Sequence, residues 1–135
     1  MRGILADNDA VGDLDILVGI LQSADWADLW ASLDIGVTSF SELGLTSDAL
    51  DSDLWHACQE AQIVLLTRNR NAHGLNSLEA TIRNNRRSDS LPVFTVANPK
   101  RLQHERDYAE QVAVRLLEYL MDIESFRGTG RVFLP

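Results

Sequence analysis

The stretch IVLLTRNRN, residues 63–71, sets four consecutive large apolar residues before a threonine and then alternates arginine with asparagine. A strand with one wet face alternates apolar and polar residues. Ile63, Val64, Leu65 and Leu66 do not alternate, so this strand is expected to be buried on both faces, as in a parallel sheet covered by helices. Such sheets place their sites in the crevice beyond the carboxyl ends of the strands. Thr67, Arg68, Asn69, Arg70 and Asn71 stand where that crevice would open.

The flanking segments fit the same architecture. LDSDLWHACQEAQ (50–62) sets Leu54, Trp55 and Cys58 on one helical face, with Asp51 at its start. RGILA (2–6) reads as a short buried first strand. Leu14, Leu17, Val18 and Leu21 give a helix over 13–24, and Trp26, Leu29, Trp30 and Leu33 give another over 25–33, with Asp25 as N-cap. IGVTSF (35–40) and LPVFTVA (91–97) read as strands. A helix over 74–85 carries Leu75, Leu78 and Ile82. Asn98 and Pro99 mark a helix start. Residues 106–124 form the clearest amphipathic helix, with Tyr108, Val112, Leu116, Tyr119, Leu120 and Ile123 as its core stripe. Residues 126–135 hold a glycine-rich turn and a last short strand. Strands alternating with helices predict an α/β fold: a three-layer α/β/α domain around a central, mainly parallel sheet of four or five strands.

At 135 residues the chain is expected to be one domain with a real core. No apolar run approaches a membrane span, and the first fifteen residues carry Asp7, Asp9, Asp13 and Asp15, unlike a signal peptide. The single cysteine, Cys58, excludes an internal disulfide and fits a reducing, cytoplasmic setting. A net charge of −8 argues against a general nucleic-acid binder, but it hides an asymmetry. Residues 1–67 net −11, residues 68–106 net +5 and residues 107–135 net −2. Either carboxylates gather a metal while a basic edge meets phosphates, or both are solvated faces.

Three acidic or amide groups would meet in the crevice: Asp7 and Asp9 after the first strand, Asp51 and Asp53 at a helix start, and Asn69 and Asn71 after Thr67. Clustered oxygen ligands suit Mg²⁺ or Mn²⁺. The alternative is that the aspartates cap helices. His56, Cys58, His73 and His104 lack zinc spacing. Neither a G-x-S-x-G elbow nor a P-loop occurs. RGTGR (127–131) is a plain turn or an anion cradle between Arg127 and Arg131. Arg83, Arg86 and Arg87 are either phosphate contacts or a solvated helix end. The three tryptophans, with Leu117 and Met121 beside the core stripe of the last helix, suggest surplus apolar surface and hence a homodimer.

ILADND (4–9), followed by ELGLTSDALDSDLWHACQEAQIVLLTRNRN (42–71), resembles the PIN-like family of small predicted nucleases, many of them predicted toxins of toxin–antitoxin pairs. The family pattern is a strand ending in Asp, a helix introduced by an acid, and an apolar strand closing in Thr, a basic residue and Asp-x-Asp. The resemblance spans residues 2–71, about half of the chain. It implies a metal-dependent ribonuclease, with an antitoxin-like protein as partner. Asp7 and Asp51 would be the metal-holding acids, with Asp9 and Asp53 beside them. Thr67, Asn69 and Asn71 would complete the site, and Arg68, Arg70, Arg83, Arg86 and Arg87 would hold RNA. The departure is that both closing aspartates are asparagines. An amide oxygen can coordinate a hard cation but brings no charge. The competing expectation is therefore a weakened or inactive domain that binds a partner or nucleic acid.

Overall fold

The computed structural model describes residues 1–70, 74 and 77–135; Asn71, His73 and Leu75 of the sequence reading lie outside them. Five strands form one sheet: β1 (Gly3–Ala6), β2 (Gly36–Thr38), β3 (Ile63–Thr67), β4 (Val93–Val96) and β5 (Arg131–Leu134). Every pairing is parallel, in the order β2-β1-β3-β4-β5. The helices are α1 (Val11–Leu21), α2 (Ala27–Ser32), α3 (Asp51–Ala61), α4 (Leu78–Asn85), α5 (Pro99–His104) and α6 (Arg106–Met121). Among the described residues no helix is long and apolar enough to cross a membrane.

The unbroken apolar run of β3 now has its cause. Val64 and Leu66 point into one core with Ile4, Phe94 and Val96, under α1 and α6. Ile63 and Leu65 point into the other with Leu5 and Val93, under α3 and α4. Successive side chains alternate between faces, so a sheet covered on both sides needs apolar residues at every position.

The connections decide where the crevice lies. From β1 the chain crosses the α1 face to reach β2 on one side. From β2 it crosses the α3 face, passes β1 and becomes β3 on the other side. Chain paths therefore diverge between β1 and β3, at their carboxyl ends. The last connection, β4 to β5, steps in the same direction as β3 to β4 but crosses the opposite face, with α6 packed on α1. Its hand is thus opposite to that of the others. Crossovers between parallel strands of one sheet almost always share one hand, so this connection is an exception. Here α5, α6 and a 3-10 turn (Ile123–Phe126) intervene.

Several boundaries differ from the sequence expectation. The α4 helix starts at Leu78, capped by Ser77 Oγ, which accepts from Ala80 N at 3.1 Å; positions 75 and 76 of the expected helix lie outside the described residues. Asp25 does not cap α2, whose N-cap is Trp26. The last long helix ends at Met121 and is continued by the 3-10 turn. Asn98 caps α5 as expected, through Arg101 N, with Pro99 in the first turn. Leu117, Trp30 and Trp55 are buried in the two cores, and Trp26 is half-buried against one of them. Leu117 and the tryptophans that argued for a homodimer are thus packed into the fold, while Met121 is exposed, as are Val11, Leu29, Val37, Leu50 and Phe133.

Phe94 is the largest side chain of β4, fully buried and stacked on Tyr119 at 5.7 Å between centroids. Phe94→Ala should cost about 3–5 kcal/mol, from lost transfer energy and the cavity left behind. Urea unfolding with an unchanged slope and a lower midpoint is the expected record.

Candidate functional site

Register brings the sequence candidates together at the β1/β3 divide. Ala6 pairs with Leu66, and Asp7 N donates to Leu66 O at 2.8 Å, so the two chains stay paired one step past β1. This sets the Asp7 carboxylate beside Thr67. Thr67 Oγ1 donates to Asp7 Oδ2 at 3.1 Å and accepts from Asn69 N at 2.9 Å. Asn69 Nδ2 donates to Asp51 Oδ2 at 2.8 Å. Asp51 is the first residue of α3, which enters from the same edge. Asp7, Thr67, Asn69 and Asp51 are thus linked in one hydrogen-bonded chain. Asp7 also caps the 3-10 turn Asn8–Ala10, its Oδ1 accepting from Asn8 N at 2.8 Å.

Burial raises the Asp7 carboxyl above its ordinary range, and the charges of Asp9 and Asp51 add to it; the Asn8 N–H and the Thr67 hydroxyl pull the other way. Beneath it Cys58 is buried, and desolvation, helped by the Asp7 charge, pushes its thiol up to about 12. That thiol has no thiolate character at neutral pH.

Arg68 turns towards α1. Its backbone N donates to Asp9 Oδ1 at 3.3 Å. Its guanidinium grips Asp13 through two bonds, Nε to Oδ2 at 2.6 Å and Nη2 to Oδ1 at 2.8 Å. Asp13 is 0% exposed and also accepts from Gln103 Nε2 of α5 at 2.6 Å. Those two hydrogen bonds, followed by the charge of Asp13, hold the Arg68 guanidinium more firmly protonated than usual. Sequence reasoning missed Asp13. Its signal was an acid four residues before Leu17 and eight before Leu21, on the buried face of α1.

The remaining candidates lie apart from this cluster. Asp53 is exposed, two residues along α3 from Asp51 and so on another side of the helix. Arg70 is exposed, donates to Ala97 O at 2.5 Å and lies over Phe133, 5.4 Å from its centroid. Arg83, Arg86 and Arg87 stand at the far end of α4, at the amino edge of the sheet, opposite the Asp7 cluster. Arg86 Nη1 donates there to Thr129 O at 3.3 Å. The structure does not join these three arginines to the crevice. RGTGR does not present a paired arginine cradle. Arg127 bonds Glu124, Asp89 O and Gln62, whereas Arg131 reaches to Glu79, Thr95 Oγ1 and Asn69 O, at 3.0, 2.6 and 2.8 Å. Arg131, unassigned to the crevice by the sequence, thus holds the backbone of residue 69 from below.

These residues do not fit a hard divalent cation well. Among the described residues no three His, Cys, Asp or Glu side chains group as metal ligands. The position expected to supply a third carboxylate is an amide already donating to Asp51. The Arg68 guanidinium is itself paired with Asp13. No family model, curated protein sequence or solved structure matches the chain.

Two outcomes follow from these contacts. Arg68→Met leaves Asp13 buried with Gln103 alone, and should cost about 2–3 kcal/mol, at the lower end for a broken buried pair because Arg68 is partly exposed. Adding Asp13→Leu should recover most of that loss, since α1 is apolar on this face. Urea midpoints of the single and double variants measure both, and additive losses would show that the two residues are uncoupled.

Asp7 titrates higher in the folded chain than its ordinary 3.8. Its contribution to stability is complete below that value and is lost as pH rises through the raised one, because the folded state binds the proton more tightly. Ionised Asp7 is therefore destabilising near neutral pH. Asp7→Asn should melt higher near neutral pH, with the gap narrowing in acid. Calorimetry across that range would show it; an equal or lower melting point near neutrality would contradict it.

Proposed function

We propose that the chain is a PIN-like domain that recognises a protein partner at the carboxyl edge of its sheet and does not cleave RNA. One observation carries this: residue 69 contributes an amide and no charge to the crevice. Arg68 is clamped to Asp13, and Asn69 hydrogen-bonds Asp51 where a metal-dependent nuclease of this pattern would set a carboxylate. A divalent cation binds oxygen ligands chiefly through charge. RNA phosphates would meet Asp7, Asp9 and Asp51, while the nearby Arg68 is held by Asp13. The arginines at 83, 86 and 87 lie at the opposite edge. The second reading, a metal-dependent ribonuclease, draws on the convergence of Asp7, Thr67, Asn69 and Asp51, with Mg²⁺ or Mn²⁺ held by Asp7 and Asp51 and supplying Lewis-acid activation of water.

The two readings separate at residue 69. Asn69→Asp places a carboxylate beside Asp51 and near Asp7, so the metal-free variant should lose stability by like-charge repulsion. A cation bound there would restore it by mass action. Thermal melting with and without millimolar Mn²⁺ is expected to show no shift for the wild type and a clear rise for Asn69→Asp. A wild-type rise as large as the variant's, together with Mn²⁺-dependent cleavage of single-stranded RNA, would replace the binding reading with the nuclease one.

A further inference from the structure

Beside the Asp7 cluster, at the carboxyl ends of β1 and β2, lies a cleft of about 480 Å³. Its walls are mostly apolar: Leu5, Val11, Leu14, Val37, Phe40 and Leu45. Val11 and Val37 are each 49% exposed, a large apolar area left at one mouth. The size lies within the range of specific binding pockets. The floor is rigid, because Leu5 and Leu14 are buried core residues. One side is fastened by Asn8 Nδ2, which donates to Ser47 O at 2.6 Å.

The rim carries one sign of charge. Asp15 lines the cleft, and Glu42 accepts from Ser39 Oγ, also on the rim, at 3.3 Å. Asp9 and Asp48 are exposed on the two flanking turns. From residue 3 to residue 67 the chain contains no lysine or arginine, so every element that builds this cleft is free of cationic side chains. An apolar slot in a uniformly acidic field repels anions and favours a cationic occupant. The open edge of β2, the terminal strand of the sheet, runs alongside it.

We propose that this cleft docks an extended, basic peptide segment of a partner protein, with an apolar side chain in the slot and flanking lysines or arginines against Asp15, Glu42 and Asp48. The proposal rests on the partner-binding reading above and names the partner's chemistry and its seat. Affinity comes from the buried apolar anchor, and the charges raise the association rate and select against acidic segments.

The test uses the full chain and a short fluorescein-labelled peptide in which valine and leucine alternate with lysine and arginine. The control peptide carries glutamate in place of every cation. Anisotropy should report binding of the basic peptide alone, weakening as salt is raised. Val37→Ser and Val11→Ser should each weaken it about tenfold, as expected for loss of an apolar contact worth about 1.4 kcal/mol. The double change Asp15→Asn with Glu42→Gln should weaken it and flatten its salt dependence. All four positions are exposed or on the rim, and circular dichroism checks that each variant is folded. Amide shifts in the nuclear magnetic resonance spectrum should cluster at residues 5–15 and 37–47. No binding, equal binding of the glutamate peptide, or shifts confined to the α4 arginines would overturn the proposal. So would a mass in ultracentrifugation showing the cleft filled by a second copy and released by Val37→Ser. None of these outcomes depends on Mn²⁺ or on RNA cleavage, so they leave the choice between the two readings of the crevice to the Asn69→Asp experiment.

Discussion

The carboxylate of Asp13 is the constraint around which the carboxyl edge is organised. It is fully buried on α1 and would be costly there alone, since an unpaired charge cannot leave water cheaply. Arg68 supplies two charge-assisted bonds and Gln103 a third, at 2.6–2.8 Å. These partners come from the end of β3 and from α5, so one buried acid ties three separate elements. Such a pair adds little net stability over an apolar substitute. What it fixes is direction: Arg68 points towards α1, and Asn69 then points towards α3 and Asp51.

That direction matters because of the topology. The chain leaves β1 across one face and enters β3 from the other, so their ends share a gap that no connection covers. Whatever residues follow β1 and β3 must face each other there. In this chain they are Asp7, Asp9, Thr67, Arg68 and Asn69. The apolar cleft is a consequence of the neighbouring step. Strand β2 is only three residues long, so beyond its end the 38–47 segment and the start of α1 splay apart.

The architecture was legible where physical periodicity is local. The four apolar residues of β3 announced a sheet covered twice, and Asn98-Pro99 announced a helix start. The strand order was not legible, because parallel pairing is decided by which helix covers which face, and that is a long-range property. The opposite hand of the last connection was hidden for the same reason. Asp7, Thr67, Asn69 and Asp51 were legible as neighbours, since each follows a strand end or opens a helix at one edge. Asp13 and Arg131 were not, because their partners lie 55 and 62 residues away in Arg68 and Asn69. The basic group at 83–87 was visible as composition but not as position; only the downward course of α4 carries it to the far edge.

The Asn69 amide sets this crevice apart from one built of three carboxylates. An amide at residue 69 removes one negative charge beside Asp51 and adds a donor that satisfies it. The guanidinium at residue 68 is held by Asp13 on α1. The Thr67 hydroxyl and the Asn8 N–H each donate to one Asp7 oxygen, while burial and the charges of Asp9 and Asp51 raise its proton affinity. Asp7, Thr67, Asn69 and Asp51 thus form one hydrogen-bonded chain across the edge. The acids around the apolar cleft, Asp15, Glu42 and Asp48, are exposed and, among the described residues, bonded at most to neutral hydroxyls such as Ser39 and Thr46, so a cationic segment of another protein can meet them.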